Sequence, residues 1–186
     1  MNKIYFCSDL HLFHNREFIY TPRGFNSVYE MNEQILNNFN EVMDWTDELY
    51  ILGDCFLNDN EQGMKYMKRL PGTKHIIWGN HDVDTRKELM QEAGFICHGY
   101  ADILKYNGYH FYLSHYPTIT SNLDNDKKLK HRVINLFGHT HSKNKFYEGR
   151  PFMYNVAVDA HNCYPVEIET IITDIKKEID DCFKAV

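Results

Sequence analysis

The stretch "KHIIWGNHD", Lys74–Asp82, decides how this chain folds. An apolar run ends abruptly in Gly79, Asn80, His81 and Asp82, so a buried strand gives way to a polar turn. Helical patterns flank it on both sides. Upstream, "NDNEQGMKYMKRLPG" opens with cap-type residues and stops at Pro71-Gly72. Downstream, "VDTRKELMQEAG" offers Asp84 as an N-cap and Gly94 as the residue that ends the helix. Helix, strand, helix at this spacing predicts a strand of a parallel or mixed sheet covered by helices.

Other stretches repeat the design. "KIYFCSDLH" ends in Asp9 and His11, "ELYILGD" in Asp54, "YHFYLSHYP" in His115, and "VINLFGHTH" in His139 and His141. Between the first two, "MNEQILNNFNEVMDW" places Met31, Ile35, Leu36, Phe39, Val42 and Met43 on one helical stripe. The second half favours hairpins. Asn107-Gly108 separates two aromatic-rich runs, and "FYEGRPFMYNVAVDA" turns near Glu148-Gly149. "PVEIETIITDIKKEID" begins with proline and reads as a closing helix, and "TSNLDNDKKLKHR" as a polar loop. With no repeat, linker or low-complexity tract, residues 1–186 read as a single α/β domain.

Acidic residues exceed basic ones, 26 to 20, for a formal net charge of −6. That balance gives no support to broad nucleic-acid or anionic-membrane binding, although a local basic patch is compatible with it. No apolar run approaches the roughly 18 residues of a membrane span. The N-terminus reads as a first strand and not a signal peptide. Five widely spaced cysteines without a C-x-x-C pair fit reduced thiols and a cytoplasmic protein.

The strand ends supply Asp9, His11, Asp54, Asn80, His115, His139 and His141, all oxygen or imidazole ligand types. Strand C-termini of an open α/β sheet share one edge, where ligands bind. Seven donors there exceed the need of one ion, whereas two ions sharing a carboxylate would use them all. Each piece also has a purely structural reading. Gly53-Asp54 and "GNHD" suit turns, His115 suits a satisfied core histidine, and His139 and His141 suit an exposed loop. Those readings lose force together, because five strand ends in order carry the same chemistry.

The blocks "SDLHLFH", "LGD", "WGNHD", "SHYP" and "FGHTH" resemble, in order, the signature of the calcineurin-like metallophosphoesterases. Residues 9–54 further resemble a small bacterial and phage branch of that family, with its Arg-Pro-Phe-like loop permuted here to Pro22-Arg23-Gly24-Phe25. The resemblance implies a four-layer α-β-β-α sandwich and a phosphoesterase that cleaves mono- or diesters by attack of a metal-bridged hydroxide. It implies one ion on Asp9, His11, Asp54 and His141, and a second on Asp54, Asn80, His115 and His139. His81 would face the substrate as the catalytic group, with Asp82 orienting it. His14 is a further candidate on the substrate side, and Arg16 and Arg23 are candidates for gripping phosphate.

Mixed His, Asp and Asn ligation suits Mn, Fe, Co, Ni or Zn better than Ca or Mg. The family makes manganese the first choice, with a phosphate-ester small molecule or nucleotide as substrate. Trp78 stands where many members carry a basic residue, which removes one phosphate contact, and Cys55 reads as packing. Two rivals stand beside this reading. One is a non-catalytic interaction module on the same fold. The other is a nucleotide-type pyrophosphatase, because D-L-H-L and G-H-T-H also resemble the UDP-diacylglucosamine pyrophosphatases.

Overall fold

The computed structural model describes residues 2–120 and 129–184. Most of the polar loop expected at 120–132 lies outside the described residues, and it re-enters at a 3-10 turn, Leu129–His131. The first half alternates as its patterning dictates: β1 (Ile4–Cys7), the short α1 (Glu17–Tyr20), α2 (Val28–Val42), β2 (Glu48–Leu52), α3 (Asn60–Arg69), β3 (Thr73–Ile77), α4 (Asp84–Glu92) and β4 (Ile96–Cys97). β1 to β4 pair in parallel, with the helices as crossovers. The Ser27 side chain caps α2 by accepting from Glu30 N–H, and Asp59 caps α3 through Gln62 N–H. Helix α4 starts one residue earlier than expected. Val83 is its N-cap and Asp84 its first helical residue, where the carboxylate still lies at the positive end of the helix.

The second half begins with β5 (Ala101–Tyr106) and β6 (Tyr109–Ser114), an antiparallel hairpin. Both turn residues, Asn107 (φ 47°) and Gly108 (φ 82°), are left-handed, as a two-residue turn between twisted strands requires. β7 (Val133–Phe137), β8 (Phe146–Tyr147) and β9 (Arg150–Asn155) complete a mixed sheet ordered β5-β6-β7-β9-β8, in which β7 runs parallel to β6 and β9. The closing helix does not start at Pro165. Val166 and Glu167 form a short strand β10, antiparallel to β1, and α5 (Ile168–Lys184) follows. β1 has an open edge, and pairing it satisfies backbone groups that a proline-started helix would leave bare.

Alternation along the strands builds two cores. Tyr5, Cys7, Leu49, Ile51 and Ile76 face α2, α3 and α4, burying Ile35, Phe39, Met67 and Met90 among them. Phe6, Tyr50, Leu52 and Ile77 face Phe111, Leu113, Ile134, Leu136 and Tyr154 of the second sheet. Helix α5 contacts β9, β10 and β1 and adds Ile171, Ile172 and Ile175 to this second core, which completes the α-β-β-α sandwich. Among the described residues Cys7, Cys55, Cys97 and Cys163 are free thiols, and Cys55 is packing as expected. Among the described residues, no helix is long and apolar enough to cross a membrane.

Candidate metal centre

The loops leaving β1, β2, β3, β6 and β7 converge on one edge. The Asp9 N–H donates to Gly53 O (3.1 Å), His11 N–H to Asp54 O (3.0 Å), and Gly138 N–H to His115 O (3.0 Å). Side chains tighten the join: His139 N–H donates to Asp9 Oδ2 (2.8 Å), and His81 N–H to Asp54 Oδ1 (2.9 Å). Such close approach excludes side chains at two glycines. A Cβ on Gly79 would run into Asp54 Oδ1, and one on Gly138 into Ser8 Oγ and Asp9 Oδ2. The backbone is strained here as well. Asp9 (φ 56°), His11 (48°), Asp54 (55°), His139 (67°) and His141 (49°) all occupy the left-handed region. L-residues enter it at a cost of order 1–3 kcal/mol, and such strain clusters at functional sites.

Two groups of ligand atoms gather at this edge, Asp9 with His11 and His141, and Asp9 with Asp54 and His115. Among the described residues Asp9 Oδ1 and His11 Nε2 are buried without a hydrogen-bond partner, and at 3.8 Å they are too far apart to bond each other. His11 Nε2 also lies 3.5 Å from Asp54 Oδ2, and His141 Nε2 lies 3.7 Å from Asp9 Oδ1. On the other side, His115 Nδ1 is 2.8 Å from Leu52 O, so it carries the proton and donates. Its Nε2 is then a lone pair, set 2.9 Å from Asn80 Oδ1 and 3.6 Å from Asp54 Oδ2. Acceptors that converge in this way repel one another unless a cation lies among them. The residues therefore fit divalent transition ions.

His139 is exposed and outside both groups, with its ring 5.0 Å from that of His115 and 4.6 Å from that of Tyr116. His81 is half-buried, 5.5 Å from the His11 ring, and its carbonyl accepts from Arg86 (2.6 Å). His14 is placed differently from a free substrate-side group. Its Nδ1 is 3.0 Å from His11 Nδ1, one ring donating to the other, so it braces the His11 ring. Arg16 is exposed near His14.

Asp82 and Arg23 correct the sequence reading. Asp82 does not orient the His81 ring. Its buried carboxylate accepts from the backbone N–H groups of Asp54 (2.9 Å), Gly79 (2.8 Å) and Cys55 (3.2 Å), holding the Asp54 turn against the Gly79 turn. Arg23 is not available to phosphate. Its side chain is 2% exposed and paired with Asp159, which accepts from Nε (3.0 Å) and Nη2 (2.8 Å). The remaining donors reach Asp9 O, Leu10 O and Met31 Sδ, so all five N–H directions are committed. Asp159 itself was missed. It follows the apolar run "FMYNVAVDA" as the other site carboxylates follow theirs, a signal that could have marked it.

Burial pushes the Asp9 carboxyl up, but the imidazoles of His115, His141 and His11 outweigh it and hold it below the usual carboxylate range. Burial raises Asp54. Burial lowers His11 to about 4 against the pull of Asp9, so it is neutral near pH 7, as a metal ligand must be. His14 also falls to about 4, through burial and then the charge of His81. His141 is raised. Burial opposes that, and Asp159 and Asp9 overcome it.

A family model described as a calcineurin-like phosphoesterase superfamily domain matches residues 2–157. The uncharacterized protein MJ1445 of Methanocaldococcus jannaschii is 31% identical over 183 residues, 95% of this chain and 93% of that protein. The crystal structure of AQ665, a protein of unknown function from Aquifex aeolicus, superposes with a TM-score of 0.71 at 26% identity, covering 93% of this chain and 99% of that one.

Proposed function

The chain belongs to the calcineurin-like phosphoesterase superfamily, and from that premise we propose a dinuclear enzyme of one domain, residues 1–186, that hydrolyses phosphate mono- or diesters. At the level of the family it is a metal-dependent phosphoesterase. What carries the finer reading is the convergence of Asp9 Oδ1 and His11 Nε2, buried without a partner among the described residues, beside the lone pair of His115 and the carboxylate of Asp54. Asp9, His11, Asp54 and His141 would hold one ion, and Asp54, Asn80, His115 and His139 the other, with Asp54 between them. When bound, two divalent ions, manganese the first choice on family grounds, would supply neutralisation of phosphate charge and activation of water.

The protein's own groups set the rest. Leu52 O fixes the ring tautomer of His115, which presents a lone pair, and His14 braces the His11 ring. Asp82 holds the two turns in place. His81, anchored through its own N–H and C=O, faces the substrate beside His11 and His14, where it donates a proton to the leaving oxygen or steadies the phosphate. Arg16, exposed beside His14, would meet a phosphate arriving from solvent. The substrate class is a phosphate-ester small molecule or nucleotide.

The test is a metal-resolved screen on aryl phosphate mono- and diesters. Chelated protein is expected to be inactive and to regain activity with Mn²⁺ or another transition ion, and Asp54→Asn to stay inactive. Full activity after thorough chelation, or in Asp54→Asn, overturns the reading.

A further inference from the structure

Arg23 and Asp159 lie 136 residues apart, yet they form a buried bidentate ion pair, with side chains 2% and 8% exposed. Burying two charges is expensive, and a pair of this kind is by itself weak evidence of stabilisation. The remaining contacts say what it does. The Nη2 of Arg23 donates to Asp9 O at 2.7 Å and its Nη1 to Leu10 O at 3.2 Å. One guanidinium therefore holds the main chain at the left-handed Asp9, φ 56°. On the other side, Asp159 Oδ2 lies 3.3 Å from His141 Nδ1. A carboxylate there keeps the ring proton on Nδ1 and leaves Nε2 as a lone pair toward Asp9 Oδ1, 3.7 Å away. Asp9 and His141 come from loops far apart in the sequence, and this pair joins them.

We infer that Asp159 is a positioning residue for His141, and that Arg23 and Asp159 together set the geometry and affinity of the ion site formed by Asp9, His11 and His141, leaving the site around His115 to other supports. The inference rests on the two-ion reading above. The second site has its own braces, Leu52 O on His115 and Asp82 on the Asp54 turn, and neither touches Arg23 or Asp159. Asp9 belongs to both ligand groups, but His141 to the first alone, so loss of the pair should act more strongly on that ion.

The experiment is calorimetric titration of chelator-treated protein with Mn²⁺, beside NMR of the His141 ring nitrogens in the ion-free protein at a pH alkaline enough to keep this raised ring neutral. Asp159→Ala strands a buried guanidinium and can fail to fold. The double variant Arg23→Met with Asp159→Leu removes both charges at similar volume, a replacement that folded proteins commonly tolerate. In whichever variant folds, one of two binding steps is expected to weaken about 10–100-fold, as for other carboxylates behind metal-bound histidines, while the other step weakens less. The His141 proton is expected to leave Nδ1 for a mixture of tautomers. Two wild-type binding steps, or equal weakening of both, overturns the inference. The ring tautomer needs no ion. If the wild-type protein took up none, the two-ion reading would fall, and an unchanged His141 tautomer in the variant would still overturn the positioning role.

Discussion

Replacing Asp82 by Asn tests whether this side chain serves the backbone or the His81 ring. The carboxylate receives Asp54 N–H (2.9 Å) and Gly79 N–H (2.8 Å) on Oδ2, and Cys55 N–H (3.2 Å) on Oδ1. An amide has one acceptor oxygen. Set on Asp54 and Gly79, it turns its NH₂ donor to donor against Cys55. Hydrogen bonds to a charged group are worth about 1.5–3 kcal/mol and to a neutral one about 0.5–1.5, so the two bonds kept weaken together by roughly 2 kcal/mol. The Cys55 N–H, in a fully buried residue, loses its partner at a further cost of about 1–3 kcal/mol. The sum, roughly 3–5 kcal/mol, lowers Tm by about 6–20 °C for a chain of this size. The assay is thermal unfolding by circular dichroism near neutral pH with chelator present, because a bound ion would add its own stabilisation. His81→Ala, run in parallel, removes a half-buried ring outside this network and should lose less than about 1 kcal/mol. If Asp82→Asn melts within about 2 °C of wild type, the backbone clamp is not its role.

Three further outcomes are expected. His81→Ala should keep its metal content and lose about 10²–10⁴-fold in rate, less with good leaving groups if His81 donates a proton; lost metal or an untouched rate refutes the assignment. Gly138→Ala places a Cβ against Ser8 Oγ and Asp9 Oδ2, so both Tm and the metal content of purified protein should fall, and a variant with wild-type values for both would show that the close approach is not needed. The Asp174 carboxyl is pushed up by burial but held below its ordinary value by Lys145 (2.8 Å) and Tyr154 (2.6 Å). Its contribution to stability is thus complete above the unfolded value of about 3.9 and fades as pH falls through the lower folded value. The Tm gap between wild type and Asp174→Asn should close on acidification below about pH 4, and a gap independent of pH contradicts the linkage.

The alternation of strands and helices was written in local patterning. Ser27 and Asp59 cap helices, Asn107-Gly108 turns a hairpin, and the stripe through Ile35 and Phe39 meets the first sheet. The donors were legible for the same reason, since each stands directly after an apolar run and a parallel sheet delivers such ends to one edge. Where the closing helix starts was not local, because Val166 and Glu167 pair with β1, far away in sequence.

The supports around the site belonged wholly to the tertiary structure. From sequence, Arg23 is a loop arginine able to grip phosphate, Asp82 a neighbour able to orient His81, and Asp159 one more polar residue after an apolar run. Packing instead commits Arg23 to Asp159 and to the carbonyls of Asp9 and Leu10, and Asp82 to three backbone amides. Hydrophobic periodicity and turn preferences act within about a dozen residues, and so local patterning settles the strands and the residue types at their ends. A buried hydrogen bond depends on which unpaired groups the folded loops bring within about 3 Å, and only the tertiary structure decided that.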